Sequence, residues 1–287
     1  MSLSRRSFLA TAAALPFAAT LKAAEAAKFK VGLVTYNVAK DWDLPTILRI
    51  CKATSVAAVE LRTTHKHGVE PSMSADDRKK VKGLFADSGV LFRSCGTACE
   101  YHAADMAVVK KQIEETKQFL QLAKDLGGVG IKVRPNGVAK GQTVEQACTQ
   151  IGKALAECGK TAADLGLEIQ MEVHGAVTQE PKNIKAIMDA CGHKSVGVTW
   201  NSNKTDLDKN GSIAANFDLL KDHIKNVHIN DLENDAKKIY PYRDLFSRLK
   251  GINYDRYCMC EVGKAYDPDA GQAFLAKYAA MFKELAG

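Results

Sequence analysis

Apolar positions follow two alternating periodicities from about residue 28 to the C-terminal end of the chain. Short apolar runs, which are typical of buried strands, alternate with longer amphipathic stretches whose apolar residues recur at helical spacing. The predicted strands are 30–37, 57–62, 91–97, 129–134, 168–174, 196–201, 225–230 and 257–262. The predicted helices are 43–54, 74–88, 104–126, 143–165, 182–191, 213–222, 241–250 and 268–285.

Eight strands, each followed by a helix, predict an α/β fold, namely a single (β/α)8 TIM barrel over residues 28–287. No linker or charge block divides this segment, so we expect one domain. Residues with side chains that can cap a helix precede four of the predicted helices. A doubly wound open sheet is the alternative, but it needs a glycine-rich loop after the first strand, and 34–37 reads Val-Thr-Tyr-Asn. The predicted N-caps are Asp43, Ser74, Thr143 and Asp267.

In the fourth to eighth predicted strands, one face is apolar and the other becomes polar toward the C-terminal end of the strand. On the fifth predicted strand, the apolar residues of 169–173 alternate with Gln170, Glu172 and His174. Side chains at positions i and i+2 share a face of a strand. Because helices cover the outside of a TM barrel, the polar face must point into the barrel mouth, where active sites of this architecture lie.

Four residues with metal-ligating side chains share this inward phase on strands five to eight: Glu172, Asn201, His228 and Glu261. Two carboxylates, an imidazole and an amide oxygen suit a divalent cation such as Mn²⁺, Mg²⁺ or Zn²⁺. Burying both carboxylates without a cation would be costly or would leave one of them protonated. The alternation therefore predicts a divalent metal site at the mouth.

Several short motifs occur in a characteristic order along the strands. They are Val59-Glu60-Leu61, Met171-Glu172-Val173-His174, Val227-His228-Ile229-Asn230-Asp231 and Cys260-Glu261-Val262-Gly263. In order and spacing over about residues 30–287, the chain resembles the xylose isomerase-like TIM barrels, also called AP endonuclease family 2-like. This group includes sugar isomerases, sugar epimerases and inosose dehydratases.

The resemblance implies a ligand set and a reaction. The metal ligands would be Glu172, position 201, His228 and Glu261, with Asn201 where relatives usually carry Asp. Lys204 stands where a His often follows. In such enzymes the metal holds a carbonyl and the neighbouring hydroxyl of a ketose and stabilises the ene-diolate. Glu172 and Glu261 would be the catalytic residues that remove and return the proton.

Further polar residues are candidates for binding the sugar. Glu60 would contact hydroxyls, unless it forms a buried pair with Arg62 or Lys132. Lys132 and Arg134 could hold a carboxylate or a developing oxyanion. The full set of predicted substrate-binding residues is Glu60, His102, Lys132, Arg134, His174 and Lys204.

The expected function is therefore a metal-dependent isomerase or epimerase of an unphosphorylated sugar or keto-sugar. A lyase or hydrolase of keto-glycosides could use the same metal and acid–base pair. A non-catalytic sugar-binding barrel is a third interpretation, motivated by Asn201 and Lys204. An apurinic-site endonuclease would need a multi-histidine, multi-metal set, which the residues after position 201 do not supply.

The N-terminus predicts export. Residues 1–26 contain Arg5-Arg6, an alanine-rich apolar run and a small-x-small site at Ala24-Glu25-Ala26, the arrangement of a twin-arginine signal peptide. We therefore expect a periplasmic protein without a membrane anchor once the signal is removed.

Composition agrees with a soluble globular protein: 46% of the 287 residues are hydrophobic and 25% are charged. The net charge of +7 is spread along helical stretches, so it does not indicate a nucleic-acid partner. The spacing of the eight cysteines is not that of a disulfide framework, and they are interpreted as small buried hydrophobes. A small sugar is the expected partner, and a homo-oligomer is left open.

Overall fold

A computed structural model describes residues 27–287, which form a closed barrel with strand order β1 to β8. All neighbouring strands are parallel, and β8 closes the barrel against β1. The strands are β1 (Lys30–Val34), β2 (Ala58–Arg62), β3 (Leu91–Glu100), β4 (Gly130–Arg134), β5 (Glu168–Glu172), β6 (Val196–Asn201), β7 (Ile224–Ile229) and β8 (Tyr257–Cys260). The signal peptide predicted for residues 1–26 lies outside the described residues.

The helices follow the strands in the predicted alternation, so the predicted (β/α)8 barrel is confirmed. They are α1 (Tyr36–Ala39), α2 (Leu44–Ala53), α3 (Ala75–Ser88), α4 (Met106–Leu126), α5 (Val144–Leu165), α6 (Pro181–Cys191), α7 (Ala214–Leu220), α8 (Tyr242–Gly251) and α9 (Pro268–Ala286).

Several element boundaries differ from the sequence expectation by a few residues, and two of them have a clear local cause. The first strand ends at Val34 rather than at residue 37, because Thr35 already has helical backbone angles and begins the turn of α1. Helix α7 is also shorter than the helix predicted over 213–222. It ends at Leu220, and the chain continues as a 3-10 turn over Lys221–His223 before β7.

The predicted N-caps are confirmed. The side chains of Asp43, Ser74, Thr143 and Asp267 each accept a hydrogen bond from a backbone N–H in the first turn of the helix that follows. Thr143 forms a complete capping box with Gln146. These caps satisfy backbone donors that a helix cannot pair internally, and so they fix where the helices begin.

The apolar strand faces pack outward against the helices, as the alternation predicts. Trp200 of β6 is fully buried; its indole lies 5.5 Å from the ring of Phe217 and donates to the hydroxyl of Tyr240. The inward faces carry a buried polar layer in the barrel interior. Its members include Glu60, Ser94, Gln170, Thr199 and Asn226.

Below this layer the barrel is closed by packed side chains. A Cβ added at Gly32 would lie 2.4 Å from the sulfur of Met259, so Met259 fills the space that the glycine leaves open. The interior is therefore solid, as expected for an eight-stranded barrel. Among the helices of residues 27–287, none is both long and apolar enough to cross a membrane.

Candidate active site

A cavity of about 220 Å³ opens at the C-terminal end of the barrel strands. Residues from β2, β4, β5 and β6 and from the loops at strand ends contribute to it, which is where TIM barrels place their active sites. The lining residues are Tyr36, Arg62, Lys132, Arg134, Glu172, His174, Asn201, Asn203, Asn230, Glu261 and Gly263.

Three predicted metal ligands meet at this cavity. One ligand atom each from Glu172, His228 and Glu261 lies within 4.8 Å of the other two. Nδ1 of His228 is 3.1 Å from Oε2 of Glu261 and 3.7 Å from Oε1 of Glu172. A divalent ion bonds to oxygen and nitrogen at about 2.0–2.3 Å, so one ion can reach three donors at this spacing. The donor set therefore fits a divalent metal.

Asn201, the predicted fourth ligand, lies next to His228 in the register of β6 and β7. Its Nδ2 donates to Oε1 of Glu172 at 3.0 Å, so the amide nitrogen faces the carboxylate. Rotation of the amide by half a turn exchanges nitrogen and oxygen without moving the backbone. Asn201 is thus positioned to offer a neutral oxygen to an ion that Glu172 binds.

Lys132 forms a buried ion pair with Glu172. Its Nζ lies 2.8 Å from Oε2 of Glu172, and the two side chains are 3% and 4% exposed. Burial alone would raise the pKa of Glu172, but Lys132 and His228 hold it well below its usual value. Glu172 is therefore ionised at neutral pH.

Glu60 lies behind His228, away from the cavity lining. It is fully buried, accepts hydrogen bonds from Ser94 and Asn226, and has its Oε1 3.4 Å from Nε2 of His228. Burial alone would lower the pKa of His228, but Glu261 and Glu60 raise it well above its ordinary value. Glu60 thus holds the imidazole so that Nδ1 faces Glu172 and Glu261.

The structure brings together three of the six predicted substrate-binding residues: Lys132, Arg134 and His174 all line the cavity. Glu60 lies beneath it. His102 lies beside the Gly137 backbone after β4 and is not part of the lining. Lys204 is exposed at the start of a 3-10 turn and also lies outside the lining.

Several lining residues were missed from the sequence: Tyr36, Arg62, Asn203, Asn230 and Gly263. Arg62 follows Glu60 by two residues and Asn230 follows His228 by two, so strand alternation carried a signal for both. Tyr36 belongs to the single turn of α1, and Asn203 follows the end of β6. Strand alternation has no bearing on residues outside strands.

A sequence profile of the family described as xylose isomerase-like TIM barrel matches residues 48–279. The chain belongs to this family. A search of curated proteins found no match.

Solved structures of sugar epimerases share the fold. 3-Keto-D-glucoside 4-epimerase YcjR from E. coli is 15% identical, with a TM-score of 0.72 over 88% of this chain and 99% of that one. D-Allulose 3-epimerase from Methylomonas sp. is 16% identical, with a TM-score of 0.72 over 90% of this chain and 98% of that one. The IolI protein, solved with a bound zinc atom, is 16% identical, with a TM-score of 0.68 over 90% and 98% of the two chains. At these identities the likeness establishes the fold.

Proposed function

We propose that this protein is an exported, metal-dependent isomerase or epimerase of an unphosphorylated sugar or keto-sugar. The observation that carries the proposal is the meeting of Glu172, His228 and Glu261 within 4.8 Å beside a cavity at the C-terminal mouth. The fold neighbours that are sugar 3-epimerases agree with this reaction class.

The residues that would hold the metal are Glu172, His228 and Glu261, with Asn201 as a neutral fourth ligand. Carboxylate and imidazole donors suit Mn²⁺, Mg²⁺ or Zn²⁺. When bound there, a divalent ion supplies Lewis-acid polarisation of a sugar carbonyl, which acidifies the adjacent C–H bond.

Glu172 and Glu261 both line the cavity, and each would face the carbon next to the carbonyl. The Lys132 ammonium and His228 keep Glu172 ionised, as a base must be to accept the proton. Returning the proton to the same carbon from the other carboxylate inverts it and gives an epimer. Returning it to the neighbouring carbon gives an isomer.

The test replaces each carboxylate by its amide. Glu172→Gln and Glu261→Gln keep the shape of the side chain and remove the base, so turnover should fall about 10²–10⁴-fold. Turnover is followed as solvent deuterium incorporated into D-fructose, D-tagatose and D-allulose. The exposed Glu284→Gln is the matched control. Unchanged incorporation in either cavity variant would contradict the proposal.

Two other activities remain as outcomes of the same experiments. Cleavage of a 3-keto-glycoside, with release of its aglycone, would assign the lyase or hydrolase activity; one fold neighbour is a 3-keto-D-glucoside epimerase. A protein that binds a sugar but no metal would be a sugar-binding barrel. The observation favouring that result is Lys132, which already places a positive charge 2.8 Å from Glu172.

A further inference from the structure

Two arginines on the cavity wall lack a close carboxylate partner: among the described residues, the nearest ion pair of either is the 3.5 Å contact of Arg134 with Glu100. Arg62 ends β2 and lines the cavity. Its Nη1 makes long contacts to the backbone oxygens of Gly96, at 3.4 Å, and Thr63, at 3.5 Å. Within residues 27–287, no carboxylate oxygen forms an ion pair with it. Its guanidinium therefore has donors to offer a ligand.

Arg134 ends β4 and lines the same cavity. Its Nη2 lies 3.5 Å from Oε2 of Glu100, and the same oxygen also accepts from the side chain of Asn136. Its Nε is buried and has no hydrogen-bond partner in the described structure. Arg134 thus has a weak, shared counter-charge and an unsatisfied donor.

The two guanidiniums are close enough to oppose each other. Burial and the neighbouring charge of Arg134 lower the pKa of Arg62, while the carboxylates of Glu172, Glu60 and Glu261 act in the opposite direction. Arg134 has one unsatisfied buried donor. An anion placed beside the two like charges would offset their repulsion and could pair with donors of both guanidiniums. The third cation of the wall, Lys132, is already paired with Glu172 and does not supply that anion site.

We infer that the substrate carries a carboxylate, which Arg62 and Arg134 bind. The inference rests on the proposed function and narrows it to sugar acids, such as uronic or keto-aldonic acids. The planar fork of arginine matches a carboxylate with paired N–H donors. The carboxylate end would lie on the β2–β4 side, and the reacting carbons would lie toward Glu172 and Glu261.

The position of the two arginines favours a carboxylate over a phosphate. In TIM barrels, phosphate sites are commonly built from the loops after strands seven and eight and from a helix N-terminus. Arg62 and Arg134 instead come from β2 and β4. The cavity, at about 220 Å³, is smaller than the ~300–1,000 Å³ of typical drug-sized ligand pockets. It therefore suits a ligand of about the size of a monosaccharide.

The test compares charged and neutral sugars by calorimetric titration of the full protein. D-Glucuronate, D-galacturonate and D-gluconate are titrated beside D-glucose, D-galactose and sorbitol, with D-glucose 6-phosphate as the phosphate probe. At least one acid should bind about tenfold or more tightly than its neutral counterpart, with affinity that falls as salt rises. Arg62→Gln and Arg134→Gln should each abolish that preference, while the exposed Arg49→Gln keeps it.

The outcomes separate this inference from the proposed function. The inference is overturned if no acid exceeds its neutral counterpart, if D-glucose 6-phosphate binds most tightly, or if the preference survives both cavity substitutions. Circular dichroism checks that each variant folds. If one does not, the affinities of the unaltered protein for acids and neutral sugars still decide whether the inference holds. Deuterium exchange into neutral ketoses without a preference for acids leaves the proposed function standing alone. If acids bind more tightly than neutral sugars through the two arginines but deuterium enters no sugar, the anion site stands and the proposed catalytic function is rejected.

Discussion

Asn201 determines how much negative charge the ligand set presents to a cation. Its neutral amide stands beside two carboxylates, and its nitrogen already donates to Glu172. Asn201→Asp adds a charge within about 2–2.5 Å of a bound ion, so Mn²⁺ should bind more tightly in calorimetric titration.

Lys204→Ala is the control for that substitution, because Lys204 is exposed and outside the cavity lining. It should leave Mn²⁺ affinity unchanged. Equal affinity of the unaltered protein and Asn201→Asp would show that position 201 is not a ligand. A large effect of Lys204→Ala would show that this side chain reaches the ion.

Asp206 is a buried carboxyl that does not belong to the predicted ligand set. It accepts hydrogen bonds from the Tyr240 hydroxyl, at 2.7 Å, and from the backbone N–H of Asn203, at 2.8 Å. Burial raises its pKa from the ordinary 3.8 to about 7. A raised folded-state pKa means that the folded protein binds this proton more tightly than the unfolded chain does. The stabilisation that Asp206 contributes to the free energy of unfolding is therefore fully present below about pH 3.8 and is lost as the pH rises through about 7.

Asp206→Asn removes this pH dependence and keeps an acceptor for Tyr240. At pH 8 the variant should be more stable than the unaltered protein, by on the order of a few kcal/mol. At pH 4 the difference should be small. Urea unfolding at both values measures it, with the exposed Asp222→Asn as the control. A constant difference across this range would show that Asp206 does not titrate as its burial implies.

At the scale of elements, the pairing of β4 with β5 depends on a glycine. A Cβ added at Gly130 would lie 1.9 Å from the backbone oxygen of Glu168, which cannot yield without disturbing β5. Gly130→Ala should destabilise the fold by about 1–3 kcal/mol, the usual cost of overpacking, as measured by urea unfolding.

Gly83 in α3 is the matched control, because a Cβ there meets nothing within 4 Å. Gly83→Ala should stabilise the helix by about 0.5–1 kcal/mol. If both substitutions change the free energy of unfolding by the same amount, the close contact at Gly130 does not limit which residue fits there.

The elements and the inward strand phase could be predicted from the sequence, but depth along the barrel axis could not. Glu60 and Arg62 share a phase, yet Glu60 is buried beneath His228 and Arg62 lines the cavity. Their depths depend on strand tilt and stagger, which alternation does not encode. The Lys132–Glu172 pair likewise depends on how β4 and β5 are staggered. Tyr36 enters through a helical turn where a longer strand was expected.

At the scale of the whole molecule, all eight cysteines are buried and free. Burial raises the pKa of each thiol, in the case of Cys51 and Cys158 to about 12, so none is a reactive thiolate in the folded protein. Protein expressed from the full sequence and purified should therefore show no alkylation by N-ethylmaleimide when native. It should show eight alkylations after unfolding without reductant.

The intact mass in that experiment also tests the predicted leader. It should correspond to a chain that begins near residue 24 or 27. A mass that includes Met1 would contradict signal removal, and fewer than eight alkylations after unfolding would reveal a disulfide.

The solid barrel interior sets how molecules can move through the site. Glu60, Ser94 and Asn226 close the space under His228, and Met259 fills the space beside Gly32. Among the described residues, Glu172 and Glu261 line a cavity that opens at the C-terminal face, so a ligand reaches them from that side. The barrel interior beneath His228 is packed with buried side chains, so an extended chain has no path through the barrel along its axis. If the proposed function holds, substrate and product use the same opening and exclude each other from the cavity, so accumulating product competes with substrate.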